Sequence, residues 1–155
     1  MKQAEQEILD HIEKFDCHVT SVFDPDGIEP TFSYSIGLRK KFGVPEVIVV
    51  GLEPELGYAL VNEYRDRVKA GERFEPGVPY SGFLDGFSVY LEPVIKKHRK
   101  GYMLSACWLY GGSDFEAVQI VYPTTSGVWP WEPEACDWFR NSQPMLGLNR
   151  QPDKP

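Results

Sequence analysis

The sequence is poor in cysteine, and its cysteines follow no recognisable pattern. Three occur in 155 residues: Cys17, Cys107 and Cys136. An odd count without a CxxC pair is neither a disulfide framework nor a zinc site. A reducing cytoplasm is the compartment this usage predicts. Histidine is equally sparse. His11, His18 and His98 show no HxH or HExxH spacing, so no metal is expected. No apolar run approaches the ~18 residues of a membrane-spanning helix. Residues 1–6 are charged and lack the apolar core of a signal peptide. Positive charge is in deficit, with 16 Lys and Arg against 23 Asp and Glu and a net charge of −7. Phosphate recognition needs clustered cations, so nucleic acid is not an expected partner. Phosphate-loop and dinucleotide fingerprints are missing, and Gly111-Gly112-Ser113 reads as a strand-connecting turn. No cofactor is implied.

What is present is a globule of ordinary hydrophobicity (42%) with 14% aromatic residues. Its length suits one domain, expected over residues 1–147, with residues 148–155 a frayed polar tail. The densest feature is the stretch Tyr122-Pro123-Thr124-Thr125-Ser126-Gly127-Val128-Trp129-Pro130-Trp131-Glu132-Pro133. Prolines remove backbone donors and fix φ. Tryptophans bring large apolar bodies with one N–H each. Such a loop either packs hard onto a core or lines a ligand site.

Periodicity predicts the remaining elements. Residues 2–15 carry Ile8, Leu9, Ile12 and Phe15 on one helical stripe. Residues 17–23 and 31–36 alternate about an Asp24-Pro25-Asp26-Gly27 turn and form a hairpin. Residues 37–44 are expected as loop. Residues 46–50 form a short apolar strand, buried on both faces and therefore central. Pro54 opens a second helix with Leu56, Leu60, Val61, Tyr64 and Val68 on its apolar side, and Gly71 closes it. Residues 72–86 are expected as loop and turn. Residues 87–95 form a strand whose Pro93 suggests an edge or bulge. Residues 102–110 fit either strand or short helix. Residues 115–122 form a further strand, and residues 134–140 a helix-like piece. The order of elements predicts an α+β fold: a curved, mostly antiparallel sheet with an N-terminal and a central helix packed on it, plus the aromatic loop.

Candidate chemistry is limited. Cys17 and His18 are adjacent on a strand and point to opposite faces, so they form no dyad with each other. No catalytic residue is assigned. The run Lys96-Lys97-His98-Arg99-Lys100 is a candidate anion site, although charge runs are more often solvated strand ends. Gln119 stands on an otherwise apolar strand face, and a buried amide without partners costs about 1–3 kcal/mol. It therefore braces a loop or faces a pocket. Tyr34, Gln119, Trp129, Trp131, Glu132 and Gln143 form the candidate ligand-binding set.

Several of these residues also carry a resemblance. Phe32-Ser33-Tyr34-Ser35-Ile36-Gly37-Leu38, Pro45-Glu46, Gly51-Leu52, Gly71, Gln119-Ile120-Val121-Tyr122-Pro123, Gly127, Pro130-Trp131-Glu132 and Gln143-Pro144 together resemble the bacterial "domain of unknown function 4262" family over about residues 1–147. The resemblance implies a small stand-alone cytoplasmic domain and no particular activity. Where this chain has Tyr122-Pro123-Thr124, that family more typically reads Trp-Pro-Asp, so the chain lacks an acid there.

Three functions compete. A non-catalytic binding module predicts an aromatic and amide-lined pocket for a small molecule or peptide. A hydrolase using Cys or Asp with His predicts a cysteine within hydrogen-bond reach of a histidine. An immunity-type protein that neutralises a basic partner predicts a contiguous acidic surface without a deep pocket. The first fits the candidate set best.

Overall fold

The structure, a computed structural model, describes residues 2–147; the expected frayed tail at 148–155 lies outside the described residues. The elements in chain order are α1 (Gln3–Phe15), β1 (His18–Val22), β2 (Phe32–Ile36), α2 (Leu38–Phe42), β3 (Glu46–Val50), α3 (Pro54–Lys69), β4 (Tyr80–Leu84), β5 (Phe87–Pro93), α4 (Lys96–Tyr102), α5 (Leu104–Tyr110), β6 (Ala117–Val121) and α6 (Asp137–Ser142). Six strands form one sheet in the order β1-β2-β3-β6-β5-β4. Neighbours run antiparallel except β3 and β6, which are parallel. The fold is therefore α+β with a mixed, mostly antiparallel, open sheet.

Alternation sorts the side chains to two faces. Val47 and Val49 of β3 face α3 with Leu60, Val61, Tyr64 and Val68. Ile48 and Val50 face the other side, with Ile8 and Ile12 of α1 and Met103 and Ala106 around α5. The two expected helices thus cover opposite faces. Because β3 is covered on both, all five of its residues are buried, as its unbroken apolar run predicts. Helix α3 comes close enough to β2 that a Cβ on Gly57 would lie 2.6 Å from Ser33 Oγ. Glycine here exchanges helix propensity for close helix–sheet approach. The end of α1 is fixed by Asp16, which takes a left-handed φ of 75° and pairs with Lys69 of α3 at 2.7 Å. That bond holds its carboxyl below the usual carboxylate value.

The structure differs from the periodic reading in short elements. Residues 37–44 contain α2, and residues 80–84 of the expected loop pair with β5 as β4. Residues 102–110 resolve as helix, and Lys96 opens another. Pro93 ends β5 opposite Val118. All described peptide bonds are trans, including those before Pro123 and Pro130.

Candidate functional site

The parallel pair β3–β6 has a polar site at its amino end. Glu46, the first residue of β3, is fully buried. Its Oε1 accepts from Ser35 Oγ at 2.7 Å and from the Leu38 N–H at 3.1 Å. Its Oε2 accepts from the N–H groups of Gly37 (3.0 Å) and Arg39 (3.2 Å) and from the Tyr110 hydroxyl. The carboxylate thus ties down the first backbone N–H groups of α2, which lack helical partners. Gly37 permits this turn with a φ of 112°. Burial pushes the Glu46 carboxyl above its ordinary value, opposed by hydrogen bonds from Tyr110, Ser35, Arg39 and Gly37. The same burial, with the neighbouring Glu46 charge, raises the Tyr110 hydroxyl. The site is filled by the protein's own donors, so its role is structural.

The carboxyl end of the same pair opens into a groove of about 420 Å³. Gly51 and Leu52 leave β3 along one side, and Tyr122 to Thr125 leave β6 along another. Leu56 of α3, Leu84 and Phe87 of the β4–β5 hairpin, and Trp138 of α6 complete an apolar lining. Gly51 is required at the floor. Its φ is 94°, and a Cβ there would collide with the Ser142 carbonyl oxygen and lie 2.5 Å from the Tyr122 hydroxyl. The Tyr122 hydroxyl donates to the Val50 carbonyl at 2.6 Å, pinning the two strand ends together. Burial raises that phenol, so it remains a neutral donor at physiological pH.

Two glutamines hold the walls. Gln143 reads the backbone of Tyr122 like an added strand: its Oε1 accepts from the Tyr122 N–H at 3.0 Å and its Nε2 donates to the Tyr122 carbonyl at 2.8 Å. Gln119 does the same for the following segment, donating to the Pro144 carbonyl and accepting from the Leu146 N–H, each at 2.9 Å. Both side chains are fully buried and have a donor and an acceptor satisfied, as burial demands. Together they fix α6 and its exit against β6.

A family model described as a domain of unknown function, DUF4262, matches residues 11–136 of the chain. The chain belongs to the DUF4262 family. No curated protein and no solved structure matches it. The structure gathers Gly37, Glu46, Gly51-Leu52 and Tyr122-Pro123, all within the matched residues of this DUF4262 chain, at the two ends of β3–β6, although they are spread along the sequence. Thr124, where the family resemblance leads one to expect an acid, lines the groove and braces its own loop. Its Oγ1 accepts from the Val128 N–H at 3.0 Å. An aspartate performs the same turn-capping task.

The remaining candidates lie apart from the groove. Trp129 and Trp131 stack with centroids 5.2 Å apart, and Tyr90 meets both edge-on at 4.9 and 5.7 Å. Glu132 accepts from the Trp129 N–H at 3.0 Å, and Arg140 of α6 donates to the Pro130 and Glu132 carbonyls. The two tryptophans are half-buried. Tyr34 faces α5, where its hydroxyl accepts from the Ser105 N–H at 3.0 Å. The structure thus brings Trp129, Trp131 and Glu132 together, joins Gln143 to the groove wall, and leaves Tyr34 elsewhere. In the basic run, Lys96 pairs with Asp114 at 2.7 Å and Arg99 donates to Val94 and Ser113 carbonyls. Lys97 and Lys100 are exposed.

The cysteines and histidines make other contacts. Burial pushes the Cys17 thiol up to about 12, and Cys107 Sγ faces the Arg99 carbonyl at 3.6 Å. His11 and His18 stack and share a 2.8 Å Nδ1–Nδ1 hydrogen bond. Burial, then His11, lowers the His18 value. No cluster of three or more potential metal ligands occurs among the described residues, and no described helix is long and apolar enough to cross a membrane.

Sequence reasoning missed Glu46, Gly51, Leu56, Phe87 and Trp138. Glu46 and Gly51 stood among the residues that carry the family resemblance, and Gly51, a glycine directly after an apolar run, also carried a local signal.

Proposed function

We propose that the protein is a non-catalytic binding module, and that the groove at the carboxyl ends of β3 and β6 receives the apolar part of a small molecule or a peptide side chain. The observation that carries this reading is the open, predominantly apolar groove itself. Its volume, about 420 Å³, falls within the range of small-molecule sites. It lies outside the carboxyl ends of β3 and β6, the one parallel pair among the described strands. Among the described residues, its lining contains neither cysteine nor histidine. Trp138 is 75% exposed and Leu56 41% exposed, an unusual display for large apolar side chains beside a concave surface. Gln119 and Gln143 serve the site by holding its walls in register.

The test is a screen of uncharged apolar metabolites by thermal shift and tryptophan fluorescence, run on the wild type and on Trp138→Ala. Ligands of the groove raise the melting temperature of the wild type and lose that effect in the variant. Compounds that stabilise both proteins equally would place binding elsewhere and contradict the proposal.

A further inference from the structure

The groove is not electrically neutral. Asp85, at the tip of the β4–β5 hairpin, is the one charged side chain among the described residues lining it. The adjoining hollow, which shares Trp138 and Ser142 with the groove, carries Glu29. Among the described residues, no lysine, arginine or histidine lines either space. Among the described residues Asp85 enters no ion pair. One source of positive field beside the groove is the amino end of α3, whose Leu56 lines it. It is offset by Glu53 at the N-cap and Glu55 in the first turn, and Pro54 removes one N–H there. The net charge of −7 acts in the same direction.

We infer that the groove selects an amphiphilic cation: an apolar chain or ring lodged against Leu52, Leu56 and Phe87, with an ammonium group directed to Asp85. This inference rests on the binding reading above and specifies its ligand class. The exposed face of Trp138 adds a second attraction for a cation through its ring quadrupole. An anionic amphiphile of the same length meets an acidic rim with no compensating donor and is disfavoured.

Three probes with one eight-carbon chain separate charge from apolar burial: n-octylammonium, 1-octanol and octanoate. They are titrated by calorimetry at pH 7 into wild type, Asp85→Asn and Trp138→Ala. Asparagine suits a tight hairpin turn before Gly86, so Asp85→Asn preserves the fold. The expected result is octylammonium binding about fivefold tighter than octanol, the scale of one partly exposed ion pair, with octanoate weakest. Asp85→Asn abolishes the advantage of octylammonium and leaves octanol unchanged. Trp138→Ala weakens all three. Equal affinities in the wild type, or an ammonium advantage that survives in Asp85→Asn, overturn the cation inference. If octanol binding is still lost in Trp138→Ala, the groove reading stands. Failure of all three probes to bind overturns both.

Discussion

At the amino end of the β3–β6 pair, Glu46 accepts hydrogen bonds from Ser35, Gly37, Leu38, Arg39 and Tyr110, and solvent is excluded. At the carboxyl end, Gly51 and Tyr122 to Thr125 border an apolar groove with an exposed tryptophan on its wall. The two ends belong to the same strands and both carry residues of the DUF4262 pattern. One is a polar recess that the chain itself fills, and the other is an apolar recess that it leaves open. Satisfied buried groups stabilise and specify a fold. An open apolar surface gains no burial from the fold itself, and exposed apolar patches of this kind are associated with interaction sites. The contrast gives the first end a structural role and is the ground for proposing that the second end binds a ligand.

The sharpest way to break the contrast is to empty the filled end. Glu46→Ala strands backbone N–H groups of α2 and leaves a void, and about 4 kcal/mol of stability should be lost. Urea denaturation measures this, and Glu46→Gln should fall between variant and wild type. If Glu46→Ala were as stable as wild type, the carboxylate would not be the keystone of that end.

A smaller loss comes from the floor of the open end. Gly51→Ala combines a left-handed φ with a collision against Ser142, and about 3 kcal/mol should be lost together with ligand affinity. Gln143→Ala leaves the Tyr122 N–H and carbonyl without their partner, for a loss of about 2 kcal/mol. Its distinguishing readout is faster amide exchange at Tyr122, with Gly37–Arg39 unaffected. Equal exchange at both ends in this variant would mean that the ends are not independent.

The smallest effect lies away from both ends. The His18 value is depressed below its ordinary 6.5, so the folded state binds fewer protons than the unfolded state. The stability due to neutral His18 is complete above about pH 6.5 and is lost as pH falls through the depressed value. His98 is shifted in the same direction and adds to the slope. His18→Gln should flatten part of the decline between pH 7 and 5 in thermal melts. An unchanged slope would refute the assignment to His18.

Long or strongly patterned elements were legible in the sequence. The α1 stripe, the β1–β2 hairpin, the apolar run of β3 and the Pro54 start of α3 all follow from local period and turn chemistry. Helix α2 was not legible because five residues between Gly37 and Gly43 are too few to show a period, and its first N–H groups are satisfied by Glu46 from the next strand. Strand β4 was hidden by its glycine and by the glycine- and proline-rich residues before it, and it forms only by pairing with β5. Gln119 was recognisable as an amide that needs partners, but its partners at Pro144 and Leu146 arise from tertiary structure. The groove was least legible of all. Leu56, Phe87 and Trp138 look like ordinary apolar positions in three separate elements, and only the fold makes them neighbours.

The contrast between the two ends is tested most directly by residue-resolved amide NMR of the wild-type protein during titration with 1-octanol. The account predicts shift changes concentrated at Leu52, Leu84, Thr124, Thr125 and Ser142, with Gly37–Arg39 and the Tyr90–Trp129–Trp131 stack unmoved. Changes centred on Trp129 and Trp131, or none at saturating probe, would contradict it.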